Sequence, residues 1–353
     1  MEFPPTQPGS PESRPESQSE PQAEPQAESQ AEPQAESQGE VQAEVQRAAP
    51  PLRIPFTERH GISPIVFAVV SLGIIFFTYQ IIGGALTLLI FGAEPGAGNI
   101  AGYRLATALG ELLLVLGPTL LLVRFATLSP RWFLRLNVPD VRTILVPIIG
   151  IFSLQEMLQI YLVVQEKIPL PEELQKIVRE LSQLMEKLLN LLVGSNSVPE
   201  LLWVVVVLAL VPALVEELLF RGLIQRSFER HMGPVRAIVL TGILFGAFHL
   251  NPFNFVPLAA LGMYLGFVAY RANSVWSSVS AHFFNNAIAC VASYLHMDQD
   301  SVVVGDPERL SPGILLATFW FFGVIFLLTT FYLIRITAPR AGDHLEEERE
   351  PAE

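Results

Sequence analysis

The chain has 353 residues, of which 51% are hydrophobic and only 16% are charged. This average is too apolar for an ordinary soluble domain and indicates a membrane protein. The formal net charge of −12 comes from two acidic ends, residues 1–50 and 339–353, so the stretch between them is neutral and lacks the excess of Lys and Arg that nucleic-acid binding requires. A single cysteine, Cys290, excludes an intrachain disulfide and a cysteine-based metal cluster.

Both ends of the chain have the composition of solvated tails. From Glu12 to Glu44 a glutamate recurs every fourth residue among Pro, Gln, Ala and Ser. Such a segment cannot bury enough apolar surface to offset its chain entropy, so we predict a disordered tail over residues 1–55 and a second acidic tail over 337–353. Docking to a basic partner is the alternative use of such a tail. We expect no cleavable signal peptide, because no basic segment precedes an apolar one at the start.

The predicted fold is all-α, a polytopic membrane protein over residues 61–336. A helix that crosses the bilayer needs about 20 mostly apolar residues. Residues 237–270 carry no Asp, Glu, Lys or Arg, and the sequence NPFN at 251–254 is expected to break them into two short spans. With these two, the sequence predicts eight spans, the other six lying within 61–93, 105–123, 144–164, 201–224, 272–297 and 312–334.

The distribution of basic residues predicts the orientation in the membrane. If the N-terminus lies in the cytoplasm, arginines concentrate in the inside loops, and the positive-inside rule then favours cytoplasmic termini in a cell-membrane protein. The richest outside loop contains an amphipathic helix, by the spacing of its apolar residues from 174 to 192. It is expected to lie in the membrane interface or to cap the bundle, and gating access to a site is the alternative.

Ionisable residues inside the spans mark a candidate site. Gly and Pro in the sequence HMGP at 231–234 predict a helical hairpin, and Glu216 and His249 lie equally far in sequence from its middle, so they share a depth. His282 reaches a similar depth from the same cytoplasmic side, and Asn286 follows it by one turn. We expect these four side chains to meet inside the bundle.

This inventory predicts a hydrolytic site. A carboxylate and an imidazole, Glu216 and His249, can remove a proton from water as the water attacks a carbonyl. His282 and Asn286 share one helical face and can donate hydrogen bonds to the developing oxyanion. Alternatively, Glu216, His249 and His282 could bind a divalent metal such as zinc.

Four other ionisable residues lie inside the spans, and we expect them to have structural roles. Glu217 points about 100° away from Glu216 and has Arg221 at i+4, so the two are predicted to form an ion pair that neutralises the helix. Glu111 and Glu156 are isolated in their spans, and helix packing or a cavity lining is the expected role of each.

Three motifs carry a resemblance to a known family. Glu216-Glu217-Leu-Leu-Phe-Arg221 resembles EExxxR, Phe245 to His249 resembles FxxxH, and His282 to Asn286 resembles HxxxN. In this order they are typical of the CAAX protease and bacteriocin-processing (CPBP) family, also called Abi, which includes the type II CAAX prenyl endopeptidases. The resemblance covers roughly residues 201–297.

The resemblance implies an intramembrane endopeptidase with an eight-helix core. By family role, Glu216 and His249 would activate water, His282 and Asn286 would stabilise the oxyanion, and Glu217 with Arg221 would support the helix. The mechanism would be either metal-dependent or glutamate-dependent, and the substrate a peptide or protein that enters from the membrane or the cytoplasm. A catalytically silent scaffold or immunity protein, or a transporter that uses buried carboxylates, are the alternative functions.

Overall fold

The computed structural model describes residues 54–96, 98–169, 171–296 and 310–337, and these residues form helices and connecting turns without a strand. In chain order the helices are α1 (Phe56–Arg59), α2 (Pro64–Phe91), α3 (Ile100–Ala126), α4 (Pro130–Phe133), α5 (Val141–Glu166), α6 (Glu172–Val193), α7 (Val198–Met232), α8 (Pro234–Phe248), α9 (Phe255–Ala272), α10 (Val275–Tyr294) and α11 (Pro312–Ile336). The all-α polytopic fold predicted from the sequence is confirmed. Nearly all of both predicted tails lies outside the described residues.

The eight predicted spans correspond to eight long helices, but only six of them are long and apolar enough to cross a membrane by themselves: α2, α3, α5, α7, α9 and α11. Helix α8 is apolar but only 15 residues long. Helix α10 has 20 residues and carries His282 and two asparagines, which lower its hydropathy. The count of eight spans is therefore approximate. The two exceptions are α8, which ends immediately before His249, and α10, which contains His282.

Both predicted chain breaks around the candidate site are found. Helix α7 ends at Met232, Gly233 has φ +80°, and Pro234 opens α8. A positive φ is costly for a residue with a Cβ and free for glycine, and proline is well suited to the first turn of a helix. The second break lies between Phe248 and Phe255, where the carboxamide Oδ1 of Asn251 accepts the backbone N–H groups of Phe253 and Asn254.

Small residues bring α8 and α9 into close contact. A Cβ placed on Gly242 would lie 2.7 Å from the backbone nitrogen of Met263, and one on Gly246 would lie 2.9 Å from the carbonyl oxygen of Phe255. Gly262 of α9 reciprocates, because its Cβ would lie 3.0 Å from Phe245. This spacing is the small-xxx-small pattern that lets membrane helices approach backbone to backbone. It fixes the C-terminal end of α8, where His249 lies.

The amphipathic helix predicted in the outside loop is α6, which contains no buried residue. Its C-terminal end is tied to the bundle by Arg104 of α3, which is 3% exposed. The Arg104 guanidinium donates 2.8 Å hydrogen bonds to the carbonyl oxygen of Leu192 and to the carboxylate of Glu200, and a further one to the carbonyl oxygen of Gly194. A cation suits these positions because the last carbonyls of a helix lack partners within the helix.

Helix α5 begins at an acidic cap outside the membrane-spanning segment. The Asp140 carboxylate accepts the backbone N–H of Arg142 at 2.8 Å. This hydrogen bond lowers the pKa of the Asp140 carboxyl, so the group is ionised at the positive end of the helix dipole.

Candidate active site

The first pair of the site joins the two sides of the α7–α8 hairpin. Glu216 Oε2 lies 3.8 Å from His249 Nε2, as the equal sequence distances from the turn predicted. His249 Nδ1 is 2.8 Å from the carbonyl oxygen of Phe245, and because a carbonyl can only accept, Nδ1 carries the hydrogen. In the neutral ring, Nε2 is then an acceptor that faces the carboxylate. The 3.8 Å separation is too long for a direct hydrogen bond and suits a water held by both groups at about 2.8 Å.

The second pair lies one residue further along α7 and is completely buried. Glu217 and Arg221 are both 0% exposed, and their side chains form an ion pair of 3.0 Å at i and i+4. Arg221 also donates to the carbonyl oxygen of Gly262 at 3.0 Å, which joins α7 to α9. The predicted ion pair is therefore present, and through Arg221 it also connects α7 to α9.

Glu217 has a further contact that the sequence analysis did not predict. Its Oε1 lies 3.0 Å from His282 Nδ1 on α10. Since the ion pair with Arg221 keeps Glu217 ionised, His282 Nδ1 is the donor and Nε2 is the atom left to face a substrate. With Nδ1 as the donor to Glu217, Nε2 donates a hydrogen bond only when both ring nitrogens carry hydrogen. The structure thus makes Glu217 the group that orients His282.

Phe245 explains the aromatic position of the second motif. Its ring centroid lies 4.7 Å from that of His249 and 5.9 Å from that of His282. The Arg221 guanidinium carbon lies 4.7 Å above the same ring, within cation–π distance. One phenyl ring therefore packs against both imidazoles and the central cation, and sets the spacing between them.

Asn286 lies on α10 one turn after His282, but its amide contacts α7 eight residues before Glu216. Its amide donates to the carbonyl oxygen of Leu208 at 3.4 Å, and its side-chain oxygen accepts from the amide of Asn285 at 3.4 Å. Leu208 is eight residues before Glu216. The structure brings Glu216 to His249 and Glu217 to His282. Among the described residues, no hydrogen bond joins Asn286 to either pair.

Glu111, for which helix packing or a cavity lining is expected, lies on a turn that packs against the helix of Glu216. It is 5% exposed and opens the π-helical turn Glu111–Leu116 of α3, which packs against the segment Val211–Glu217 of α7. This contact crosses between helices, so no spacing within one helix could predict it. Glu156 of α5 is 3% exposed and lies in sequence between Leu154 and Leu158, which belong to a buried hydrophobic cluster.

The metal alternative requires several ligands around one point. Among the described residues, no group of three or more His, Cys, Asp or Glu side chains is placed to hold a metal ion. Of the three candidate ligands, His282 directs Nδ1 to Glu217, while Glu216 and His249 face each other. This donor set does not fit the three protein ligands of a catalytic zinc centre.

A surface depression of about 420 Å³ lies at the break between α8 and α9. Its lining residues flank His249 in sequence and are mostly apolar: Gly246, Ala247, Leu250, Asn251, Pro252 and Phe255. Leu250 has φ +52°, a left-handed conformation that is strained for a leucine. The chain thus turns sharply immediately after His249, and neither His249 nor Glu216 lines the depression.

The comparisons with known proteins agree with the motifs. Residues 198–288, about a quarter of the chain, match the family described as Type II CAAX prenyl endopeptidase Rce1-like. No curated protein and no solved structure matches the chain. The matched range runs from the start of α7 into α10. It contains the six site residues predicted from the sequence: Glu216, Glu217, Arg221, His249, His282 and Asn286. The predicted resemblance is confirmed over residues 198–288, whose match to the Rce1-like family supports a CAAX-type intramembrane protease.

Proposed function

We propose that this protein is an intramembrane endopeptidase in which Glu216 and His249 activate the water that hydrolyses a peptide bond. The observation that carries the proposal is the 3.8 Å approach of these two side chains across the α7–α8 hairpin. Glu216 Oε2 is buried and without a hydrogen-bond partner among the described residues. A buried carboxylate oxygen beside an acceptor nitrogen is a place where a water is favoured, since each group needs a donor.

The chemistry begins with the water between the two groups. As its oxygen attacks the scissile carbonyl carbon, Glu216 takes one of its protons by general-base catalysis. The other O–H of the water donates a hydrogen bond to His249 Nε2. This ring fixes the direction of attack, because its Nδ1–H is held by the carbonyl oxygen of Phe245. The Glu216 proton then passes to the leaving nitrogen as the C–N bond breaks.

His282 and Asn286 supply hydrogen-bond donors for the oxyanion in this mechanism. His282 is oriented by Glu217 through Nδ1, and Nε2 donates to the oxyanion when both ring nitrogens carry hydrogen. The Asn286 amide, 3.4 Å from the carbonyl oxygen of Leu208, makes a long hydrogen bond that it can exchange for the substrate. We propose that a peptide enters from the membrane or the cytoplasmic side.

The test compares new peptide termini in membranes that carry the wild type, Glu216→Ala or His249→Ala at matched levels. We expect a set of termini that both variants lose, while Glu156→Gln, which changes a more deeply buried carboxyl on α5, retains them. A zinc chelator is expected to leave the wild-type termini unchanged. Identical termini in all membranes would instead favour a scaffold or immunity protein, and loss of solute flux in Glu216→Ala would favour a transporter.

A further inference from the structure

Two backbone carbonyls at the break between α8 and α9 lose their ordinary helical donors to proline. A carbonyl in a helix accepts the N–H of the residue four positions later. Four positions after Phe248 stands Pro252. Four positions after Phe253 stands Pro257. Neither proline has a backbone N–H, so both carbonyls need a donor from elsewhere in the protein. His249 follows directly after the first of them.

A glutamine side chain from another helix reaches each of the two carbonyls. The Gln80 amide of α2 donates to the carbonyl oxygen of Phe248 at 2.9 Å. The Gln165 amide, near the end of α5, donates to the carbonyl oxygen of Phe253 at 3.0 Å. Proline is tolerated in membrane helices where neighbouring groups satisfy the carbonyls that it leaves without donors. The two glutamines thus replace the two missing N–H groups and hold the break from α2 and from α5.

Helix α2 holds Phe248 by its ring as well as by its carbonyl. The ring stacks on Tyr79 with centroids 6.3 Å apart and planes 2° from parallel, and it meets Phe76 edge-on at 5.7 Å. Phe220 of α7 packs against the same ring, also edge-on, with centroids 5.4 Å apart. The residue that precedes His249 is therefore fixed between α2 and α7.

Gln80 is an unusual residue for the apolar helix to which it belongs. It is half-buried in α2 and lies within the π-helical turn Phe77–Gly83. An amide inside a membrane span is costly unless it is hydrogen-bonded, so the bond to the break accounts for its place. Turns of this kind are rare and often occur at functional sites. Both observations connect Gln80 to the site at the end of α8.

We propose that Gln80 and Gln165 are positioning residues for His249. By holding the carbonyls on both sides of this residue, they fix the distance of its imidazole from Glu216. The inference rests on the proposed function, because it gives the two glutamines a role through His249. Neither amide exchanges a proton with the substrate. If the imidazole moves, the water between it and Glu216 is misplaced, and a displacement of about 1 Å can cost about 100-fold in rate.

The kinetic test uses the intact protein and a peptide that the wild type cleaves in a Glu216-dependent manner. Methionine has about the length of glutamine but no donor. Gln80→Met is therefore expected to lower kcat about tenfold with KM unchanged. Gln165→Met should lower kcat less, because its carbonyl partner lies further from His249 in sequence. Gln159→Met is the control and should retain kcat, since Gln159 is half-buried on α5 and, among the described residues, has no hydrogen bond to the break. Wild-type kcat in folded Gln80→Met, or an equal loss in all three variants, would overturn the proposal.

Nuclear magnetic resonance tests the hydrogen bond of Gln80 without any substrate. His249 is the only histidine in the sequence that follows a phenylalanine. With carbon-13 in the phenylalanine carbonyls and nitrogen-15 in the histidines, a single correlated signal therefore reports the Phe248 carbonyl. We expect this signal to move upfield in Gln80→Met, because a carbonyl carbon becomes more shielded when it loses a hydrogen bond, and to stay in place in Gln159→Met. An unchanged signal in Gln80→Met would contradict the proposal.

The two measurements together separate this proposal from the proposed function. If the wild type has no Glu216-dependent cleavage, the proposed function fails and the positioning role fails with it, while the carbonyl signal still shows whether Gln80 holds the break. If cleavage depends on Glu216 and the signal moves without a loss of kcat, the proposed function stands and the positioning role alone is wrong.

Discussion

At the scale of single residues, Glu217 has two partners and each constrains a different part of the site. Its ion pair with Arg221 is completely buried, and its contact with His282 Nδ1 sets the orientation of that ring. In the membrane interior, a buried ion pair is retained because removing one partner leaves an uncompensated charge. The consecutive glutamates of the first motif therefore have different partners, since Glu216 faces His249 and Glu217 holds the second imidazole.

The buried ion pair predicts an asymmetric cost of substitution. Arg221→Met leaves Glu217 buried without its cation and is expected to lower the free energy of unfolding by about 3–5 kcal/mol. The double variant Glu217→Gln with Arg221→Met removes both charges and should recover a large part of that loss. Thermal unfolding in detergent measures both. A double variant less stable than Arg221→Met alone would contradict the charge argument.

At the scale of helices, the α7–α8–α9 unit was the part most accessible from sequence. The turn at 231–234, the break at 251–254 and the shared depth of Glu216 and His249 follow from Gly, Pro and the constant rise of a helix. Depth alone does not specify which helix supplies the next neighbour. The position of the Glu111 turn against the Glu216 turn depends on how α3 packs against α7, and π-helical turns in both helices rotate the side chains away from the 100° spacing assumed from sequence.

The close approach of α8 and α9 predicts that Gly242 and Gly246 cannot be enlarged. Gly242→Leu or Gly246→Leu places a side chain where backbone atoms lie within 3.0 Å, so α8 must move away from α9 and carry His249 with it. We expect lower thermal stability. We also expect that a disulfide between two engineered cysteines, one on α8 and one on α9, no longer forms. Gly73→Leu on α2, where no atom lies within 4 Å of the added Cβ, is the control and should have little effect. Equal behaviour of all three variants would refute the packing account.

The attachment of α6 predicts a local change rather than a global one. Arg104→Ala removes the hydrogen bonds to the carbonyl oxygens of Leu192 and Gly194 and the ion pair with Glu200. Hydrogen exchange is expected to become faster at residues 190–196 while α7 to α10 are unaffected. Arg179→Ala, on an exposed position of α6, is the matched control. Unchanged exchange in Arg104→Ala would show that the helix is held by other contacts.

At the scale of the whole molecule, the distribution of arginines predicts that α6 and the α3–α5 connection lie on opposite sides of the membrane. In a Cys290→Ala background, Gln183→Cys on α6 should react with a membrane-impermeant thiol reagent in intact cells. Val138→Cys, at a residue that is 95% exposed in the α3–α5 connection, should react only after permeabilisation. The reverse pattern would invert the predicted orientation and place the termini outside.

The central claim is that Glu216 activates a water that attacks a peptide bond. The most direct measurement is cleavage of a substrate peptide in water enriched in oxygen-18, followed by mass spectrometry of the new C-terminus. The account predicts one oxygen-18 atom in the carboxylate formed by the wild type and, in folded Glu216→Gln, a rate at least about 100-fold lower. Labelled product formed at the same rate by both proteins would contradict it.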